Sequence, residues 1–133
     1  MPGTDEFNPG FRISEIDGGV ILLGLVVSPL LGKLFNQLGV AALFTVFHFF
    51  LFCNVLRMHR SLELAWAASF VGLWSCSYIF GVPTWGQTYM LALGLTAAAT
   101  IAQLLLPSYH GVCWNVLNPQ LPQWWAGRLR GKA

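Results

Sequence analysis

The amino-acid sequence predicts an all-α integral membrane protein with four transmembrane helices in an up-down bundle. Charged residues make up 9% of the chain and hydrophobic residues 56%, and the hydrophobic residues gather into four stretches. Soluble globular proteins carry roughly 25% charged residues. A soluble domain of 133 residues also keeps too much of its surface in water to cover so many apolar side chains. Lipid is therefore the predicted environment.

The four apolar stretches define the predicted spans, at about residues 18–35, 38–56, 64–82 and 88–106. Each of the last three contains 19 residues, close to the ~20 that the hydrocarbon core requires of a helix. A backbone in lipid must satisfy its hydrogen bonds within its own segment or within a closed barrel. Helices are predicted because no stretch shows the alternating polarity of barrel strands. The first stretch is short, so a re-entrant or interfacial helix is the alternative there.

The segments between and outside the spans are polar or turn-forming. Asn36, Gln37 and Gly39 are expected to separate the first two helices. Residues 1–17 form a predicted cytoplasmic tail, and residues 107–133 form a predicted interfacial and cytoplasmic tail. Tryptophans and basic residues in the second tail are typical of the membrane interface.

Basic residues predict the orientation. With four spans, both termini share one side with the joint between the second and third helices, and six of the seven basic residues lie on that side. These six are Arg12, Arg57, Arg60, Arg128, Arg130 and Lys132. Only Lys33 lies opposite, so the positive-inside rule places both ends in the cytoplasm. The predicted location is the bacterial inner membrane, as a multi-pass protein. The ratio falls to five against two if the first stretch does not span.

Small residues recur at every fourth position in three of the four predicted helices. The three stripes are Gly24, Ser28 and Gly32; Ala68, Gly72 and Cys76; and Gly94, Ala98 and Ala102. A four-residue spacing puts each stripe on one helical face, and close backbone approach along such faces drives helix association in lipid. The alternative is that glycine and alanine are common in membrane helices and form such stripes by chance.

His48 is the one ionisable side chain in the middle of a predicted span. Phe44 and Phe52 lie one turn to either side, so the three residues are a candidate site for haem or chlorophyll, with His48 as the metal ligand. The alternative is a hydrogen bond from the imidazole to a neighbouring helix. Candidate hydroxyl partners there are Ser69, Ser75 and Thr96.

Four arginines at the cytoplasmic side are predicted to contact lipid phosphates: Arg57, Arg60, Arg128 and Arg130. A weaker hypothesis for the same side is a metal site formed by His59 and His110, with Glu63 and Cys113 nearby. The three cysteines have no CxxC spacing, which argues against a disulfide framework or a zinc site.

The missing chemistry limits the predicted function. The second, third and fourth spans contain no Asp, Glu, Lys or Arg, whereas proton-coupled transporters and lipid-modifying enzymes usually need such groups in or near the membrane. No nucleotide-binding glycine pattern or catalytic triad is visible. A net charge of +2 does not suggest a nucleic-acid partner.

The sequence therefore favours a non-enzymatic role, as a small accessory or structural subunit of a larger membrane complex of respiratory or photosynthetic type. Its predicted partners are membrane lipids and other integral membrane subunits, or further copies of itself. One alternative is a haem- or chlorophyll-binding subunit for electron transfer or light harvesting that uses His48. A second alternative is a small transporter or channel that forms its pore only as an oligomer.

Overall fold

The computed structural model describes residues 7–130, and this part of the chain contains six helices and no strand. The all-helical prediction is therefore confirmed. Lys132 and residues 1–6 of the predicted N-terminal tail lie outside the described residues. The helices are α1 (Glu15–Leu34), α2 (Asn36–Val55), α3 (Arg60–Phe80), α4 (Trp85–Leu104), α5 (Trp114–Leu117) and α6 (Leu121–Arg130).

Two of these helices, α1 and α2, are long and apolar enough to cross a membrane by length and composition. Each contains 20 residues, which corresponds to about 30 Å of helix. Helices α3 and α4 occupy the places of the third and fourth predicted spans and contain 21 and 20 residues. The four long helices thus follow the four apolar stretches of the sequence.

Helix α1 begins at a capping box and ends one residue before α2. The backbone N–H of Ser14 donates to Asp17 Oδ2 at 2.8 Å, and the N–H of Asp17 donates to Ser14 Oγ at 3.2 Å. These reciprocal bonds satisfy N–H groups that have no partner inside the helix. Phe35 then adopts an extended conformation, with φ −144° and ψ 92°, and separates the two helices.

The expectation that Asn36, Gln37 and Gly39 break the chain is wrong, because all three lie inside α2. Phe35, the single extended residue between the two helices, is sufficient to reverse the direction of the chain. Gly39 has a packing function instead: it is buried, and a Cβ atom built on it would lie 2.5 Å from the Cα of Gly32 in α1. The missing side chain therefore lets the two backbones touch near the turn.

The joint between α3 and α4 also follows from local chemistry. Gly81 ends α3 with φ +70°, in the left-handed region that glycine adopts without a steric penalty. Helix α4 begins after Thr84, whose backbone N–H donates to Gln87 Oε1 at 3.0 Å. The turn between α1 and α2 lies at this same end of the bundle. Helix α2 leads away from this end and α3 returns to it.

The segments predicted as tails fold onto the opposite end of the bundle. The last turn of α2, Leu51–Val55, is π-helical, and its carbonyl groups accept hydrogen bonds from distant residues. The N–H of Arg12 donates to Asn54 O at 3.3 Å, and the N–H of Val112 donates to Val55 O at 2.9 Å. The N–H of Gly10 reaches His110 O at 2.8 Å, so both segments are tied to one another and to α2.

Candidate functional site

His48 lies at the centre of a buried aromatic cluster between α2 and α3. Its side chain is 1% exposed, and its ring stacks on Trp66 with a centroid distance of 4.5 Å and an interplanar angle of 14°. Phe44 lies 4.2 Å and Phe52 5.6 Å from the imidazole centroid. Phe70 stacks on the indole of Trp66 at 5.3 Å. The structure therefore brings the three predicted cofactor residues together and adds two aromatic rings from α3.

Trp66 is the central residue that sequence reasoning missed. It is 5% exposed, and its indole N–H donates to Thr96 Oγ1 at 2.9 Å and to Ala92 O at 3.3 Å, so it joins α3 to α4 as well as to α2. The available clue was the i, i+4 pair Trp66 and Phe70, which places two large aromatic side chains on one face of α3. A hydropathy reading treats both residues only as apolar material.

The hydrogen bonding of His48 fixes its tautomer. Nδ1 lies 2.8 Å from the carbonyl oxygen of Phe44 in the same helix, and a carbonyl only accepts, so Nδ1 carries the hydrogen. The expected bond to a hydroxyl on a neighbouring helix is wrong: Thr96 binds Trp66, and Ser69 bonds to Ala65 O of its own helix. In the neutral form of the ring, the lone pair is then on Nε2.

Nε2 of His48 is buried and has no hydrogen-bond partner among the described residues. A backbone carbonyl on Nδ1–H and a free Nε2 lone pair form the arrangement that prepares a histidine to ligate a metal. A buried acceptor without a donor also costs free energy. Within this cluster, Nε2 of His48 is thus the one polar atom that makes no hydrogen bond to a described residue.

The three small-residue stripes have different surroundings. In α1, Ser28 is buried against α2, Gly24 faces the side chain of Val46, and Gly32 faces Gly39. The stripes of α3 and α4 are exposed, and the structure places no atom within 4 Å of a Cβ built on Gly72 or Gly94. The exposed stripe residues are Ala68, Gly72, Cys76, Gly94, Ala98 and Ala102.

An open groove runs between α3 and α4 along the second of these exposed stripes. It consists of two cavities of about 270 and 490 Å³. Gly94, Ala98 and Ala102 of α4 form one wall, and Ala65 and Ser69 of α3 lie on the other. The groove is apolar, and larger side chains complete its walls beside these small ones: Leu62, Trp66, Leu73, Met90, Leu91 and Leu95.

Basic residues cluster where the tails fold onto the bundle. The guanidinium of Arg57 donates to the carbonyl of Asn8, and Arg60 forms an ion pair with Glu63 at 3.2 Å. Arg128 lies over the ring of Trp124 at 5.5 Å from its centroid, a cation–π contact. Arg130 is exposed at the end of α6. Their role at lipid headgroups stays a prediction.

His110 and His59 lie at this same end. Nδ1 of His110 bonds to Ser108 O at 2.8 Å, and burial lowers the pKa of its imidazole, an effect that the charges of Arg57 and His59 strengthen and the Ser108 bond opposes. The backbone N–H of His59 donates to buried Gln103 Oε1 at 3.0 Å. Residues 7–130 contain no group of three or more His, Cys, Asp and Glu side chains that could hold a metal ion.

Fold and geometry together define an all-helical protein with two candidate membrane-spanning helices and an enclosed histidine–aromatic cluster. Comparisons with protein-family models, with curated proteins and with solved structures gave no match.

Proposed function

We propose that this chain crosses the bacterial inner membrane four times, with both termini in the cytoplasm, and serves as a small accessory subunit of a larger respiratory or photosynthetic complex. The observation that carries the proposal is the exposed small-residue groove between α3 and α4. The equivalent stripe of α1 is covered by α2. A second helix from another subunit would cover the exposed groove in the same way.

Helices associate in a lipid bilayer for a different reason than they do in water. Lipid tails are as apolar as leucine, so burial of hydrophobic area does not drive helices together in a bilayer. Small residues do so because they allow backbones to approach closely. Ala98 and Gly94 are exposed in the isolated chain, and they offer that close approach to a partner helix.

A partner-capture experiment tests the accessory role. The full chain is purified from its native membrane in a mild detergent, and the mass of the assembly is measured. We expect a stoichiometric complex with larger subunits. Ala98→Leu, which fills the groove, should lower the recovery of those subunits about tenfold, since a lost contact of ~1.4 kcal/mol changes an affinity by that factor.

The matched control is Ala97→Leu. Ala97 is exposed on α4 but does not line the groove, so this variant should recover the partners normally. A homo-oligomer without other subunits would contradict the accessory role and favour the oligomeric transporter or channel. A single chain of four long helices is too thin to enclose an aqueous path.

Membrane topology has its own test. In a cysteine-free background, single cysteines are introduced at Thr84, between α3 and α4, and at Ser108, after α4. An impermeant thiol reagent should label Thr84→Cys from the periplasmic side and Ser108→Cys only after the membrane is opened. Labelling of both positions from the same side would contradict the four-span arrangement.

Cofactor binding at His48 is the second candidate, because the unpartnered Nε2 is a specific observation in its favour. Gently extracted protein should then show a Soret band for haem or a Qy band for chlorophyll. His48→Leu should abolish the band, whereas His59→Gln, outside the cluster, should retain it. A wild-type spectrum without either band removes this candidate.

A further inference from the structure

The C-terminal segment, which we define as residues 107–130, is a folded part of the chain at the end of the bundle where the tails meet. Leu121, at the start of α6, is 0% exposed, and Tyr109 is 1% exposed. The side-chain amide of Asn118 donates to Pro107 O at 2.7 Å and to Tyr109 O at 3.1 Å. The protein's own packing therefore fixes the position of α6.

The two faces of α6 have different surroundings. Leu121 and Trp125 lie four residues apart on the inner face, where Leu121 is buried and the ring of Trp125 lies edge-on to that of Phe7 at a centroid distance of 5.9 Å. Arg128 and Arg130, in the last turn, are exposed. The helix thus packs through its apolar side, and its basic end stays uncovered.

The uncovered end of α6 is a cationic surface. Residues 107–133 contain three basic residues and no Asp or Glu. One ion pair, between Arg60 and Glu63, is found in the described part of the chain, so Arg128 and Arg130 have no carboxylate partner there. Charge complementarity therefore favours an anionic partner for this surface.

The guanidinium of Arg128 is positioned to bind a phosphate group. Its carbon lies 5.5 Å from the centroid of the Trp124 ring, one helical turn earlier, and this cation–π contact holds the side chain in place. The contact acts through the charge of the guanidinium, so it does not use the N–H donors as a hydrogen bond would. These donors form a rigid fork that matches two oxygens of one phosphate. Arg130, two residues later, supplies a second cation.

Exposed apolar side chains in the same segment favour a lipid over a soluble phosphate. Val116 and Leu117 of α5 are 76% and 50% exposed, and Leu129, between the two arginines of α6, is 42% exposed. A soluble anion would leave these side chains in water, whereas acyl chains can cover them. A helix that combines arginine with tryptophan and leucine is typical of the membrane interface.

The sign of the headgroup selects the class of lipid. Phosphatidylcholine carries an ammonium group beside its phosphate, which the arginines of α6 would repel, whereas phosphatidylglycerol carries the phosphate charge alone. We propose that α6 binds anionic phospholipid, with Arg128 and Arg130 on the headgroup phosphate and Trp124 beside them at headgroup level. This inference rests on the proposed membrane location, and it does not depend on the accessory role or on His48.

Lipid titration followed by native mass spectrometry tests the proposal. The purified full chain in a mild detergent is titrated with phosphatidylglycerol or with phosphatidylcholine of the same acyl chains, and the fraction of lipid-bound chain is measured. We expect phosphatidylglycerol to bind at about 25-fold lower concentration, since each of two arginines near an anionic headgroup should change the affinity about fivefold. Added salt should weaken the preference because it screens the charges.

Variants of α6 locate the site. Arg128→Gln and Arg130→Gln should each lower the preference for phosphatidylglycerol about fivefold, and the double variant should remove it. Both side chains are exposed, so the changes spare the fold. Arg60→Gln is the matched control, because it removes the same charge from an exposed arginine at the same end of the bundle that is already paired with Glu63. This control should retain the preference.

Three outcomes would overturn the proposal. Equal binding of the two lipids by the wild type would mean that charge does not select the lipid. An unchanged preference in the double variant would place the anionic site elsewhere. Competition by glycerol phosphate at equal concentration would indicate a site for small anions. None of these outcomes bears on partner capture through Ala98, and the cysteine-labelling experiment tests the membrane location separately.

Discussion

The α1–α2 pair and the α3–α4 pair hold their helices together in different ways. Between α1 and α2, small residues let the backbones touch, and Gly32 and Gly39 have no side chains between them. Between α3 and α4, polar side chains form the link: the indole of Trp66 donates to Thr96, and the hydroxyl groups of Ser77 and Thr88 bond to each other. The α1–α2 contact therefore depends on the close fit of two backbones, and the α3–α4 contact depends on side-chain hydrogen bonds.

The difference shows how the surfaces of the bundle are used. In the first pair, the small-residue stripe of α1 packs against α2, so no open groove of this kind lies between these two helices. The second pair is joined on its inner side by Trp66 and Thr96, which leaves the stripe containing Gly94 and Ala98 exposed on the outer side. The second pair therefore retains a face that another helix can occupy.

The largest effect is expected from Gly39→Leu. A Cβ at this position would lie 2.5 Å from Gly32 N and 2.6 Å from Ser28 O, and backbone atoms give way only if the whole of α1 moves. Overpacking of this kind should lower the free energy of unfolding by about 3 kcal/mol. Unfolding in mixed micelles followed by circular dichroism measures the change.

The control for that variant is Gly72→Leu in the exposed stripe of α3. The structure places nothing within 4 Å of a Cβ at Gly72, so the isolated chain should unfold as the wild type does. Equal destabilisation by the two variants would mean that the two stripes do not differ in the folded chain.

Gly24→Ala should have a smaller effect. Its Cβ would meet the side chain of Val46, which can shift more easily than backbone, so the expected loss is about 1 kcal/mol. The double variant Gly24→Ala with Val46→Ala removes the clash and should regain most of the stability lost in Gly24→Ala. Failure of this rescue would show that the two residues do not pack against each other.

Thr96→Val tests the polar link between α3 and α4. It removes the acceptor that lies 2.9 Å from the Trp66 indole nitrogen. In the proposed four-span arrangement this loss should be about 0.6 kcal/mol, the average for a hydrogen bond between helices in lipid. Thr45→Val is the control, because Thr45 bonds only to Ala41 O of its own helix. A double-mutant cycle with Trp66→Phe should show that the loss in Thr96→Val depends on the indole.

The smallest expected effect is a pH dependence at the end where the tails fold. Burial lowers the pKa of His110 below its ordinary value of 6.5, so the unfolded chain binds more protons than the folded chain below that pH. The contribution to stability is therefore complete above pH 6.5 and is lost as the pH falls. Thermal unfolding of wild type and His110→Gln at about pH 7.5 and 5 measures it.

In that comparison the wild type should lose more stability between the two pH values than His110→Gln loses. Identical losses would mean that His110 titrates alike in the folded and unfolded chain. The test concerns neither helix pair, and it shows whether the burial of His110 in the folded tail contributes to the pH dependence of stability.

The sequence by itself determined the helical class and the places of the four long helices, because hydropathy and the absence of alternation act locally along the chain. It also brought His48, Phe44 and Phe52 together, since residues four positions apart share a helical face. Patterns of this kind depend only on residues that are close together in the chain, and not on the position of a neighbouring helix.

Only the tertiary structure decided which surfaces meet. The spacing of Gly24 and of Gly94 is equally regular, yet one is covered and the other is open. The position of Trp66 between three helices and the bonds from Arg12 and Val112 to the π-helical turn of α2 join residues far apart in sequence. Such contacts depend on the relative placement of whole helices, which packing and long-range hydrogen bonds fix and a one-dimensional pattern does not contain.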